Sequence, residues 1–105
     1  MIKIDQLPQM ELKSGFKARL VHTLHTTLGF WEVDEGAVLP IHNHIHEQIT
    51  QVLAGEFELT IGDKTKIYGK GDIAIIPPNI MHGGKAITNC HLFDIFSPVR
   101  EDYKL

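Results

Sequence analysis

From Phe16 to Ser97 no single pattern runs long enough to build a helix. Short apolar or alternating runs follow one another, cut by turn residues and most often by Gly, Pro, Asn or Asp. A core-facing helix needs an apolar stripe sustained over about ten or more residues, and none occurs. Ala18 to Leu24 and Leu28 to Val33 read as strands. Gln48 to Leu53 and Glu56 to Ile61 flank Ala54-Gly55, which predicts a hairpin. In the second of these, Phe57, Leu59 and Ile61 are expected inward and Glu56, Glu58 and Thr60 outward. Gly62-Asp63 is a further turn. Ile67-Tyr68 ends at Gly69-Lys70-Gly71-Asp72, Ile73 to Ile76 is stopped by Pro77-Pro78, and Leu92 to Phe96 runs out before Pro98. Strands this short and closely spaced predict an all-β fold, an antiparallel sandwich or barrel.

The chain has 105 residues, which predicts a single domain over 1–105 with one modest core. With 43% hydrophobic and 22% charged residues it is globular in composition. The net charge of −3 and the lack of any basic run exclude a nucleic-acid-binding face of the usual kind. No long apolar run and no signal-peptide pattern occur, and Cys90 is the only cysteine. These features predict a soluble cytoplasmic protein without a membrane partner. Cys90 lies in an apolar run, where a packed core thiol is the expected state.

The chemistry concentrates in Pro40-Ile41-His42-Asn43-His44-Ile45-His46-Glu47-Gln48. Neutral imidazole is the commonest ligand for divalent transition metals. On an extended strand His42 and His44 would point to the same side, a chelating pair set by backbone geometry. His46 shares their parity, and Glu47 is another candidate. A more distant ligand is expected from His22, His25, His82 or His91. His82 stands out, since it follows the turn Pro77-Pro78-Asn79-Ile80-Met81 into a new strand.

The spacing is also that of a known family. Gly36, five residues, His42-x-His44, three residues, Gln48, six residues, Gly55 resembles the first motif of the cupin superfamily, with Gln48 where glutamate is usual. Gly71, five residues, Pro77, then His82 resembles the second, with Asn79 where glycine is usual and Ala86 where asparagine often stands. Asn tolerates left-handed backbone angles, so the Asn79 change is mild. The resemblance implies an antiparallel double-stranded β-helix, the jelly-roll barrel. It implies one divalent transition metal ion (nickel, zinc, iron, manganese or cobalt) on His42, His44, Gln48 and His82. His46 and Glu47 then lie beside the ligands or at the surface. Three imidazoles and an amide leave the dication uncompensated, which favours an anionic substrate.

The C-terminal segment narrows the resemblance. Asp94-x-Phe96 followed by Ser97-Pro98-Val99-Arg100-Glu101-Asp102, together with His44-x-His46-Glu47-Gln48, is similar to the small KdgF-type cupins of pectin and alginate breakdown. That similarity implies ring opening and ketonisation of 4,5-unsaturated uronate monosaccharides, with Asp94, Phe96 and Arg100 as the working residues. The structural alternative is an Asp94–Arg100 ion pair closing one end of the barrel. Other functions compatible with a cupin are a metal-dependent dioxygenase or isomerase on another small anion, or non-catalytic sugar binding. The expected partners are a small anionic sugar acid and a second copy of the chain, since small cupins usually pair through sheet edges.

Overall fold

The alternation along the chain becomes ten strands, and a computed structural model describes them over residues 1–104; Leu105, the last residue of the expected domain, lies outside the described residues. The strands are β1 (Met10–Lys13), β2 (Phe16–His22), β3 (Thr27–Val33), β4 (Val38–His42), β5 (Glu47–Ala54), β6 (Phe57–Ile61), β7 (Lys64–Tyr68), β8 (Ile73–Ile76), β9 (His82–Ala86) and β10 (Cys90–Ser97). Single 3₁₀ turns lie at Ile4–Gln6 and Glu101–Tyr103. All pairings are antiparallel. One sheet has the order β1-β2-β3-β10-β5-β8 and the other β4-β9-β6-β7. The two face each other as a jelly-roll sandwich. Among the described residues no helix is long and apolar enough to cross a membrane.

The core is made where the inward positions of the two sheets meet. Phe16, Trp31, Val52, Phe57, Ile76 and Leu92 are all buried in one cluster. Phe16 sits edge-on to Trp31 at 6.3 Å and to Phe57 at 6.5 Å. Each large apolar side chain buried here contributes about 1.5–3 kcal/mol relative to exposure. Phe57 and Leu59 are inward, as their alternation requires. Cys90 is 1% exposed and its Sγ lies 3.1 Å from the Glu56 carbonyl oxygen. Burial pushes its pKa up, which suits a packed thiol and not a nucleophile.

Two local expectations are corrected. Ala54-Gly55 is not a hairpin: β5 and β6 belong to different sheets. The backbone of Glu56 is taken by the β9–β10 connection, with its N–H donating to Thr88 Oγ1 at 3.0 Å and its carbonyl accepting from Ile87 at 2.9 Å. The end of β5 instead pairs with β10, Ala54 opposite His91. Gly55 therefore turns the chain from one sheet to the other. The second correction is that the strand carrying His42 ends there, and Asn43 to His46 form a loop. That loop is held by the Asn79 N–H, which donates to the His44 carbonyl at 2.8 Å. Asn79 has φ 65°, the left-handed conformation that its place in the motif requires.

Gly55 (φ 83°) and Gly62 (φ 60°) make a paired test of these turns. A Cβ on Gly55 would lie 2.2 Å from the Asn89 carbonyl oxygen, whereas one on Gly62 would meet nothing within 4 Å. Gly62→Ala is expected to cost about 1–2 kcal/mol, the left-handed penalty alone. Gly55→Ala should cost distinctly more, read as a larger fall in the urea unfolding midpoint.

Candidate metal centre

His42 closes β4 directly opposite His82, which opens β9, so sheet register brings these two together. The loop after β4 swings His44 over the same point. Ring centroids are 4.4 Å apart for His42–His82, 4.8 Å for His44–His82 and 5.7 Å for His42–His44. One ring nitrogen from each lies within 4.8 Å of the others.

The hydrogen bonds fix which nitrogen faces the centre. His42 Nδ1 donates to the Pro40 carbonyl at 2.8 Å, His44 Nδ1 to the His46 carbonyl at 3.0 Å, and His82 Nδ1 to the Ile80 carbonyl at 2.9 Å. A carbonyl only accepts, so each Nδ1 carries the proton and each Nε2 of a neutral ring keeps a lone pair. His82 Nε2 is buried without a partner among the described residues. Burial, followed by the charge of Arg100, holds His44 down to about pKa 4; burial also lowers His82. Both rings stay neutral and ready to ligate at pH 7.

Gln48 joins the group from the first inward position of β5. Its Oε1 lies 3.0 Å from His44 Nε2, and its Nε2 donates to Thr50 Oγ1 at 3.0 Å. With Nδ1 of His44 protonated, Oε1 and Nε2 are both acceptors and do not bond to each other. Their separation is the one expected between neighbouring ligands of a cation with bonds of ~2.1 Å. The orphaned His82 nitrogen and this pair of facing acceptors fit a divalent transition metal. All four residues expected to hold it are brought together.

Behind Gln48 the chain of donors continues inward. Thr50 donates to Asp94 Oδ1 at 2.5 Å. Asp94 is 6% exposed and sits opposite Thr50 on β10. Its neighbour on the other side is Gly29 of β3, where a Cβ would lie 2.7 Å from Trp31 Nε1, so glycine leaves room for the indole. The Trp31 N–H lowers the Asp94 pKa slightly but makes no hydrogen bond among the described residues. Desolvation outweighs these donors and pushes Asp94 up to about 6.

The alternative ion pair of Asp94 with Arg100 does not form. Arg100 forks onto Asp102, Nε to Oδ1 at 3.0 Å and Nη2 to Oδ2 at 2.8 Å. Its guanidinium lies between Phe96, 4.7 Å from the ring centre, and Tyr103, 4.0 Å away. The planar fork meets the Asp102 carboxylate in bidentate geometry, while Asp94 Oδ1 is held by Thr50. His46 is buried rather than at the surface, and its Nε2 donates to the Val99 carbonyl at 3.3 Å. That bond ties the histidine loop to the turn carrying Arg100.

A cavity of about 170 Å³ joins these groups, lined by His42, His82, Gln48, Asp94, Phe96 and Arg100 among others. Tyr103 and Lys13 also line it. Neither was singled out in the sequence. Tyr103 lies beyond the last strand, and a β-bulge between Glu11 and Lys13 brings Lys13 opposite inward-facing Phe16.

Comparison with known proteins agrees with this fold. The model of the Cupin domain family matches residues 29–96. The chain is 33% identical over 110 aligned positions to the pectin degradation protein KdgF of Dickeya dadantii (strain 3937), covering 94% of this chain and 93% of the relative. The structure of KdgF from Halomonas sp. superposes with a TM-score of 0.91 at 28% identity, over 97% of this chain and 96% of that one. An RmlC-like cupin from Shewanella frigidimarina NCIMB 400 superposes at 0.93 and 29% identity, over 98% and 94%.

Two predictions follow from the site's charges. In metal-free protein, adding zinc or nickel at neutral pH is expected to raise the thermal midpoint, by about 2.7 kcal/mol of stability at a hundredfold excess over Kd. His82→Ala should abolish the shift in the same thermal scan. The second concerns pH. Folded Asp94 holds its proton up to about 6 against an ordinary 3.8, so its ionisation costs stability as pH rises through 6. Asp94→Asn in metal-free protein should therefore be more stable than the parent at pH 7, by up to about 3 kcal/mol. The advantage should vanish as pH falls from 6 toward 4, measured by urea unfolding at each pH. His44 acts oppositely in both proteins, since its lowered folded pKa makes each lose stability on acidification below 6.5.

Proposed function

The chain belongs to the cupin domain family, and from that premise we propose that it is an enzyme of pectin or alginate breakdown. It opens 4,5-unsaturated uronate monosaccharides to their linear keto form. The observation that carries this reading is the one cavity lined by three of the candidate ligands, His42, Gln48 and His82, together with buried Asp94 and Arg100. Similarity to the KdgF proteins supports the substrate class.

The reaction is an isomerisation, so no atom is gained or lost. The bond between the anomeric carbon and the ring oxygen breaks, the anomeric hydroxyl gives up its proton as the aldehyde forms, and C4 gains a proton as C5 becomes a ketone. His42, His44, Gln48 and His82 would hold a divalent metal, which when bound supplies Lewis acidity toward a carboxylate or ring oxygen. Gln48 brings no charge to this set and cannot take a proton. Asp94 takes and returns the migrating proton: a carboxyl with a pKa of about 6 is mostly ionised at pH 7 yet still gives its proton back. Thr50 anchors Oδ1, leaving the other oxygen for the substrate. Arg100 offers its guanidinium to the substrate carboxylate, its orientation locked by Asp102 and two aromatic rings. Phe96 is 2% exposed and packs against both the Arg100 guanidinium and the His44 ring, 5.9 Å away, which keeps anion clamp and metal ligand at a set spacing.

Asp94→Asn is expected to lower kcat on unsaturated galacturonate by about 10²–10⁴-fold, the usual contribution of a positioned proton-transfer group. Metal content by atomic emission should stay that of the parent. Full activity in this variant would refute the assignment.

A further inference from the structure

Four buried side-chain atoms have no hydrogen-bond partner among the described residues: Arg19 Nε, Trp31 Nε1, His46 Nδ1 and His82 Nε2. Of these residues only Trp31 and His82 line the cavity. His82 Nε2 presents a lone pair, which a metal would meet. Trp31 Nε1 carries a proton and can only donate, so its missing partner is an acceptor. Trp31 is 8% exposed, and a donor buried without a partner costs free energy that an arriving acceptor would recover. Packing holds the indole in place. Its ring stands edge-on to Phe16 at 6.3 Å and to Tyr103 at 6.2 Å. Its nitrogen rests over Gly29, two residues back on the same face of β3, where a Cβ would approach to 2.7 Å. Glycine inside a strand weakens it, and here it marks a close approach. Gly29 is directly opposite Asp94 on β10. The indole N–H therefore sits beside Asp94, the only carboxyl lining the cavity among the described residues.

We propose that the Trp31 N–H is a substrate-binding donor that holds the oxygen of the sugar's anomeric hydroxyl. The assignment rests on the uronate reading above. A donor beside a carboxylate is complementary to a hydroxyl, which accepts through its oxygen and donates its own proton. It does not suit the substrate carboxylate, which Asp94 would repel and Arg100 attract. In the ring opening the anomeric hydroxyl gives its proton to Asp94, so this hydroxyl faces Asp94 and the indole beside it. The bond from the anomeric carbon to the ring oxygen then breaks as the aldehyde C=O forms. The anomeric oxygen passes from hydroxyl to carbonyl, remains an acceptor throughout and keeps its bond to the indole. Asp94 delivers the same proton to C4 as C5 becomes the ketone, and nothing besides the sugar is consumed. Trp31 thus fixes the oxygen from which the proton departs, at the opposite end of the ring from the carboxylate that Arg100 holds.

The chain has a single tryptophan, so its indole N–H gives one resolved signal in a proton–nitrogen NMR spectrum. With zinc added, saturated galacturonate is the probe, since it carries the anomeric hydroxyl but no C4=C5 bond to react. It is expected to move the indole proton downfield, and its 1-deoxy analogue, which lacks that oxygen, should leave the signal in place. Kinetics give the second arm. Benzothienylalanine in place of Trp31 keeps the ring shape and puts sulfur where the N–H was. It should lower kcat/KM on unsaturated galacturonate by about 3- to 10-fold, the worth of one neutral hydrogen bond. Trp31→Phe should lose at least as much, with unchanged far-ultraviolet circular dichroism. An indole signal that galacturonate does not move up to its solubility limit, or that the 1-deoxy analogue moves equally, would overturn the proposal, as would full kcat/KM in the sulfur variant. A signal that answers Asp94→Asn but not galacturonate would give the N–H to Asp94 and overturn it too. Failure of the uronate reading looks different: the parent itself leaves unsaturated galacturonate unconverted, and the galacturonate signal alone then decides the donor.

Discussion

Three backbone carbonyls, those of Pro40, His46 and Ile80, each capture an imidazole by its Nδ1 proton. Each capture sets a tautomer and a ring orientation together, and the result is three lone pairs turned toward one point. Lone pairs set that close together repel, and His82 Nε2, buried with no donor among the described residues, carries the cost. The fold sustains it because His42 and His82 end paired strands and His44 rides on a loop pinned by Asn79. A cation held there would remove the repulsion, and its binding would then add to the stability of this end of the barrel.

The second organising fact is the separation of charges around the cavity. Asp102 draws off Arg100, so Asp94 faces the cavity without an ion-pair partner and is held mainly by the Thr50 hydroxyl. Had Asp94 met Arg100 directly, its pKa would have fallen and its proton would have been lost to chemistry near neutral pH. Gln48 stands between the histidines and Thr50, linking the two halves through one amide: oxygen toward the lone pairs, nitrogen toward the relay. A glutamate there would have no N–H to give Thr50.

Much of this was readable along the chain because it rests on local periodicity. Phe57 and Leu59 face inward because their strand alternates, and Asn79 is left-handed because a tight turn must precede His82. What stayed hidden depends on partners far apart in sequence. Ala54-Gly55 has the composition of a hairpin, and nothing local reveals that Thr88 and Ile87 will claim the Glu56 backbone. Parity along a straight strand pairs His42 with His44, yet His44 reaches the site from a bend. Arg100 had two carboxylates to choose from, and only packing excluded the buried one. Gly29 and Trp31 shape the Asp94 niche through a cross-strand contact that carries no motif.

The central claim is that this site, loaded with a divalent metal, converts an unsaturated uronate to its open keto form. Its most direct measurement is the ultraviolet absorbance of the enol ether of unsaturated galacturonate, followed with protein, with protein and chelator, and after metal is restored. The account predicts enzyme-dependent loss of the band that stops with chelator and returns with metal. A band that persists beside fully metal-loaded protein, or that decays equally after the metal is stripped, would contradict it.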